Sequence, residues 1–274
     1  MFSLGRSVNI NYPSNRMLVI FTSIIAIVMS IYFKDIVNGL FVSFGFFLCW
    51  ALTREIDPAH DKSAFVSGAL FIISSLFIFD GVQFLVLFYL LLSTRLISKI
   101  CGKAPNLVDV ASILLLSAYL SYSLSSPVFV LLVLLMSLLA WIRYNKKDLF
   151  KLATVVSIML VMLFSFLTPW EFSDLIVAVV RKENILLIAL TFILFISLIY
   201  FQLKTLSISE SFEDDLGGKV KCKWLKLSTI YYSVAIIIIT LFVSVSYSLL
   251  IILVSTVLGV NIYNLFKKIT SVRK

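Results

Sequence analysis

Long apolar runs broken by short polar stretches set the pattern of this chain; LLIALTFILFISLIY, residues 186–200, is one of them. These runs do not alternate between apolar and polar residues, which argues against the strands of a membrane barrel. A hydrocarbon core of about 30 Å takes roughly 20 helical residues, with about 17 as a lower limit. Ten segments meet that measure, near residues 17–33, 36–53, 58–79, 82–98, 107–124, 127–143, 150–168, 184–202, 227–244 and 246–266. The prolines (Pro13, Pro58, Pro105, Pro127, Pro169) all fall at the ends of these segments, where a helix tolerates them.

Composition decides what surrounds the helices. Of 274 residues, 61% are hydrophobic and only 14% are charged, with a mean hydropathy of +1.09. Soluble domains run near 45–50% apolar and about 25% charged. A soluble chain of this length has too much surface to hide so much apolar side chain, so the solvent is lipid. Lipid leaves every backbone polar group to be paired internally, and unbroken apolar runs do that as helices. The expected fold is all-α: one integral, polytopic helical membrane domain over residues 1–274 with about ten transmembrane helices.

The cations orient it. With the N-terminus taken as cytoplasmic, one side of the predicted topology collects Arg6, Arg16, Arg54, Lys62, Arg95, Lys99, Lys103, Arg143, Lys146, Lys147 and Lys151. The same side holds Lys204, Lys219, Lys221, Lys223, Lys226, Lys267, Lys268, Arg273 and Lys274, while the other has only Lys34, Arg181 and Lys182. That imbalance is what the positive-inside rule predicts, and it places both termini in the cytoplasm. It also accounts for the net charge of +9 without nucleic acid as a partner. Residues 1–16 lack the apolar core of a cleaved signal peptide, so the first span serves as its own insertion signal. Short loops throughout fit a prokaryotic plasma (inner) membrane.

Two connectors are longer. Residues 203–226 form the longest cytoplasmic loop, an acidic block followed by Gly217–Gly218 and the basic stretch KVKCKWLK. Its Lys219, Lys221, Lys223 and Lys226 are expected to lie near anionic headgroups. GGK lacks the rest of a phosphate-binding loop and reads as a turn. Residues 168–184, with Trp170, suit a helix lying in the interface.

Chemistry concentrates in TREIDPAHDKS, residues 53–63, which holds the only histidine, His60. Glu55, Asp57, His60 and Asp61 are the catalytic candidates. Asp57 and Asp61 have the spacing of a weak magnesium site. The competing structural interpretation makes Asp57 a helix N-cap, Pro58 the first helical residue and Asp61 a first-turn acid favoured by the helix dipole. Arg54, Arg95 and Asp109 are substrate-binding candidates; Arg95 and Asp109 also qualify as an ion pair at the inner ends of neighbouring spans. Elsewhere the span interiors offer small polar residues at helical spacing, such as Ser233, Thr240, Ser244 and Ser248, Ser255, Gly259, which suit close helix packing. Cys49, Cys101 and Cys222 are too scattered for a zinc site. No nucleophile elbow, HExxH motif or DxxDGxxAR run is present.

A small-solute or lipid permease is the function these features favour. A non-catalytic partner of other membrane proteins is one alternative. The other is an embedded enzyme acting on a lipid-linked phosphate at the cytoplasmic face. No cofactor is expected unless the enzyme alternative holds, in which case Mg2+ is implied.

Overall fold

Turn chemistry sets where the helices begin and end. The structure, a computed structural model, describes residues 3–5, 10–144, 147–167, 193, 195–197, 199–200, 211–213, 219–243 and 246–272. The interfacial helix expected at 168–184 and the turn at Gly217–Gly218 lie outside the described residues. Helix α1 (Pro13–Phe33) opens on a proline and closes at Lys34 in the left-handed conformation. Asp35 then caps α2 (Ile36–Ile56) by accepting from the Val37 N–H at 2.9 Å. There follow α3 (Asp61–Ser75), α4 (Phe84–Ser98), α5 (Leu107–Ser123), α6 (Val128–Arg143), α7 (Lys147–Leu167), α8 (Cys222–Phe242) and α9 (Tyr247–Val272). A short antiparallel ribbon precedes α8, with β1 (Ser211–Glu213) paired to β2 (Lys219–Lys221) in a backbone register that sets Phe212 opposite Val220.

The chain is predominantly helical, and five helices are long and apolar enough to cross a membrane: α1, α2, α7, α8 and α9. Helices α4, α5 and α6 are apolar but have 15, 17 and 16 residues, below the roughly 20 a bilayer core takes without thinning or tilt adjustments. Apolar side chains face outward along α1, among them Ile20, Ile24, Ile27 and Ile31. Water would reject such a surface, whereas acyl chains accept it.

The described residues divide into two units. The first draws on residues 3–5, 88–193 and 203–243, and the second on residues 10–87, 194–202 and 246–272, so far as these are described. In the second unit α2 packs on α1, α3 and α9, and α3 packs on α9. The α3–α9 approach is close enough to need glycine. A Cβ on Gly259 would stand 2.0 Å from Ser67 Oγ and 2.6 Å from its backbone nitrogen. In the first unit α6 packs on α5, α7 and α8. There Tyr89 meets Phe129 edge-on, and Tyr144 stacks on Phe150 with ring centroids 5.2 Å apart.

Many hydroxyls in these helices are satisfied by their own helix. Ser233 Oγ donates to the Thr229 carbonyl at 2.9 Å and Thr240 Oγ1 to that of Ile236 at 2.9 Å. Such back-bonding lets serine and threonine sit among apolar side chains at little cost.

Candidate functional site

The TREIDPAHDKS stretch is a turn with both flanking helices defined. Helix α2 runs through Arg54 and Glu55 to Ile56, and Asp57 closes it, its N–H donating to the Thr53 carbonyl at 2.8 Å. Pro58 has no N–H to continue the ladder, so the chain turns. Helix α3 begins at Asp61 with His60 as its N-cap residue. The expected helix start at Asp57–Pro58 is therefore corrected. Asp57 ends one helix instead of opening the next, and its side chain is taken by histidine. Asp61 does lie in the first turn of α3.

His60 is the centre of the arrangement. Its Nδ1 lies 2.9 Å from Asp57 Oδ1 and its Nε2 lies 2.8 Å from Lys267 Nζ. A lysine ammonium has only donors, so Nε2 accepts and the ring proton sits on Nδ1, which donates to Asp57. The ring also packs against Tyr263, with centroids 5.1 Å apart. Asp57 is 1% exposed and its Oδ2 has no hydrogen-bond partner. Beside this chain Arg54 pairs with Asp61 Oδ1, donates to the Pro58 carbonyl at 3.2 Å, and is itself buried. Tyr12 Oη donates to Asp61 Oδ2 at 3.3 Å. Glu55 is buried in the last turn of α2.

Asp57 and Asp61 thus turn to different partners, histidine and arginine. Among the described residues no group of three or more His, Cys, Asp or Glu side chains is arranged to hold a metal. What the turn does present is an imidazole with its tautomer set by a buried carboxylate. If Lys267 withdraws, Nε2 becomes a base oriented in the manner of hydrolase dyads.

Arg95 and Asp109 meet through the chain's own residues 3–5. Asp109 is fully buried and accepts from the Ser3 N–H at 2.8 Å, from Ser3 Oγ, from the Leu4 N–H at 3.4 Å and from the Asn106 N–H at 2.8 Å. The last of these, with Asn106 Oδ1 accepting from the Asp109 N–H at 3.0 Å, completes a capping box at the start of α5. Arg95 Nη1 donates to the Leu4 carbonyl at 3.3 Å, and Cys101 Sγ reaches the same oxygen at 3.4 Å. The direct ion pair expected between Arg95 and Asp109 is replaced by this segment, whose main-chain donors satisfy the carboxylate.

This chain matches no family model, no curated protein and no solved structure. Its chemistry has to be read from its own side chains.

Three features escaped the sequence. Lys267 and Tyr263 complete the His60 arrangement from the far end of the chain, where the sequence offers only a cation count. Tyr89 and Tyr231 are fully buried in the middle of α4 and α8, close to each other and to Ser93. Their hydroxyls donate to the carbonyls of Phe129 at 3.2 Å and Leu132 at 3.4 Å. Tyrosine favours the membrane interface, so mid-span tyrosines were the available signal. The third is Asp80, whose carboxylate accepts from the N–H groups of Tyr247 at 2.7 Å and Ser248 at 2.8 Å, while Ser248 Oγ accepts from the Asp80 N–H at 3.0 Å. Asp80 thereby caps α9 from a distant loop. Partial burial pushes its carboxyl up, but the bonds from Ser248 and Tyr247 outweigh this and hold it below the ordinary carboxylate value.

Proposed function

We propose that this chain is a multi-pass integral membrane protein of about ten spans, with both termini in the cytoplasm of a prokaryotic cell, and that it works as a small-solute or lipid permease. The buried hydroxyl cluster of Tyr89, Ser93 and Tyr231 carries the transport part of this reading. Lipid offers such groups no partner, so polar atoms deep among apolar helices are retained for packing or for a polar passenger. Here the two tyrosine hydroxyls donate to carbonyls of α6 and that of Ser93 to carbonyls of its own helix. These bonds can be exchanged for a solute's own donors and acceptors without breaking a helix.

The orientation is supported by how charge sorts within the second unit. Arg54, Asp57, His60 and Asp61 gather with Tyr12 and Lys267 at one end of its helices. At the other end of α9 stands Asp80. Flux into proteoliposomes tests the permease. The double substitution Tyr89→Phe, Tyr231→Phe is expected to lower flux severalfold while the protein still folds. Purified protein that moves nothing from a broad panel of solutes and lipids would overturn it.

The Asp57–His60 pair favours a second reading, an enzyme acting on a lipid-linked phosphate at the cytoplasmic face. His60 would serve as general base and Asp57 as the group that orients it. Magnesium, where it takes part, would have Asp57 and Asp61 as its nearest candidate carboxylates. His60→Gln and Asp57→Asn are then expected to abolish turnover while the protein accumulates; full activity of the double variant removes this reading.

A further inference from the structure

A cluster in the first unit has no part in the sites above. Trp224, in the first turn of α8, has Arg143 Cζ 5.0 Å and Lys223 Nζ 5.0 Å from its ring centroid. The guanidinium also lies 5.4 Å from the Tyr144 ring, and its Nη2 is anchored on the Ser98 carbonyl at 2.9 Å. Its Nη1 is enclosed and donates to nothing. The acidic side chains paired among the described residues, Asp61 with Arg54 and Asp57 with His60, involve neither cation.

Two positive charges against one indole, with no counter-ion among the described residues, repel each other and leave a donor unused. A ligand that removes both costs is an oxyanion. Arginine suits phosphate oxygens through its paired N–H groups, and lysine adds a point charge. Tryptophan favours the depth of the glycerol and headgroup region, where its ring packs against the lipid and its edge stays wet. We propose that Arg143, Lys223 and Trp224 form a binding site for the phosphate of an anionic phospholipid. This rests on the membrane reading above and narrows the headgroup contact expected along Lys219–Lys226 to one site, centred on Arg143 at the end of α6.

Native mass spectrometry of the detergent-purified full chain tests it, with phosphatidylglycerol and phosphatidylcholine supplied in equal amounts. The wild type is expected to retain phosphatidylglycerol preferentially. Arg143→Gln and Lys223→Gln are each expected to lower that preference roughly fivefold, the effect of about one headgroup cation. Lys223 is exposed, so its variant keeps the test valid if Arg143→Gln folds poorly. Equal retention of the two lipids, or an unchanged preference in folded variants, overturns the site. So does displacement of the lipid by millimolar inorganic phosphate, which would assign the cluster to a free anion. Alkaline extraction of membranes separates this outcome from failure of the membrane reading: a chain released into the soluble fraction fails the latter, whereas one retained without lipid preference fails only the site.

Discussion

Asp57 and Asp109 are both buried carboxylates at helix ends, and the chain holds them in opposite ways. Asp109 accepts from main-chain N–H groups and a serine hydroxyl, none of which changes charge near neutral pH. The Asp57 side chain is tied to the ring of His60, and its other oxygen has no hydrogen-bond partner. The first arrangement closes on itself and reads as structure, a knot that fastens residues 3–5 to the start of α5. The second passes through an ionisable ring to Lys267 and so couples a buried charge to an exposed one. Burial alone therefore does not distinguish the two carboxylates; the groups that hold them do.

Substitutions that break this contrast are expected to differ in size. Asp109→Ala strands several buried N–H groups and should cost roughly 3 kcal/mol or more, read as a large fall in melting temperature. It should also expose Cys101, buried against the Leu4 carbonyl, to alkylation. Asp57→Asn keeps an oxygen for His60 Nδ1 and should cost only about 1–2 kcal/mol by the same measurement.

Asp80 offers a pH test with a definite sign. Because its folded-state value lies below the ordinary one, its bonds to α9 contribute fully above the unfolded value near 3.9. That contribution is lost as pH falls below this value toward the folded one, and not at neutral pH. Melting curves from pH 6 to about pH 3 should show an acid-side loss that Asp80→Asn reduces; an identical acid limb in the variant contradicts it. The smallest effect is expected from Lys267→Met. An exposed partner of this kind is worth no more than about 0.5 kcal/mol. Yet His60 should then react faster with diethyl pyrocarbonate, because its Nε2 is uncovered. As the only histidine, its modification reads out alone.

Much of the helical pattern was legible because it is local. Pro13 opens α1, and the Asn106–Asp109 spacing opens α5, both within a few residues of the expected starts. The α2–α3 turn was misjudged for a reason equally local. Asp-Pro is a sound helix start by capping preference, but His60, three residues on, competes for the carboxylate. The partners of the candidate residues were not legible at all. Ser3 meets Asp109 across 106 positions and Lys267 meets His60 across 207. A period or a cap carries no information over such separations. The length of α3 also escaped, because residues 76–83 are apolar enough to extend it while Asp80 is committed to the N–H groups of α9.

The central claim is that α9 crosses a bilayer with its basic end in the cytoplasm. Its two ends can be marked in a Cys222→Ser background, where Cys49 and Cys101 are buried and silent. Tyr247 and Lys268 are both exposed, and replacing the Tyr247 side chain leaves its N–H bond to Asp80 intact. In intact cells a membrane-impermeant maleimide is expected to label Tyr247→Cys and spare Lys268→Cys, with both labelled once the membrane is opened. Equal labelling of the two in intact cells would contradict the span, and the reverse pattern would contradict its orientation.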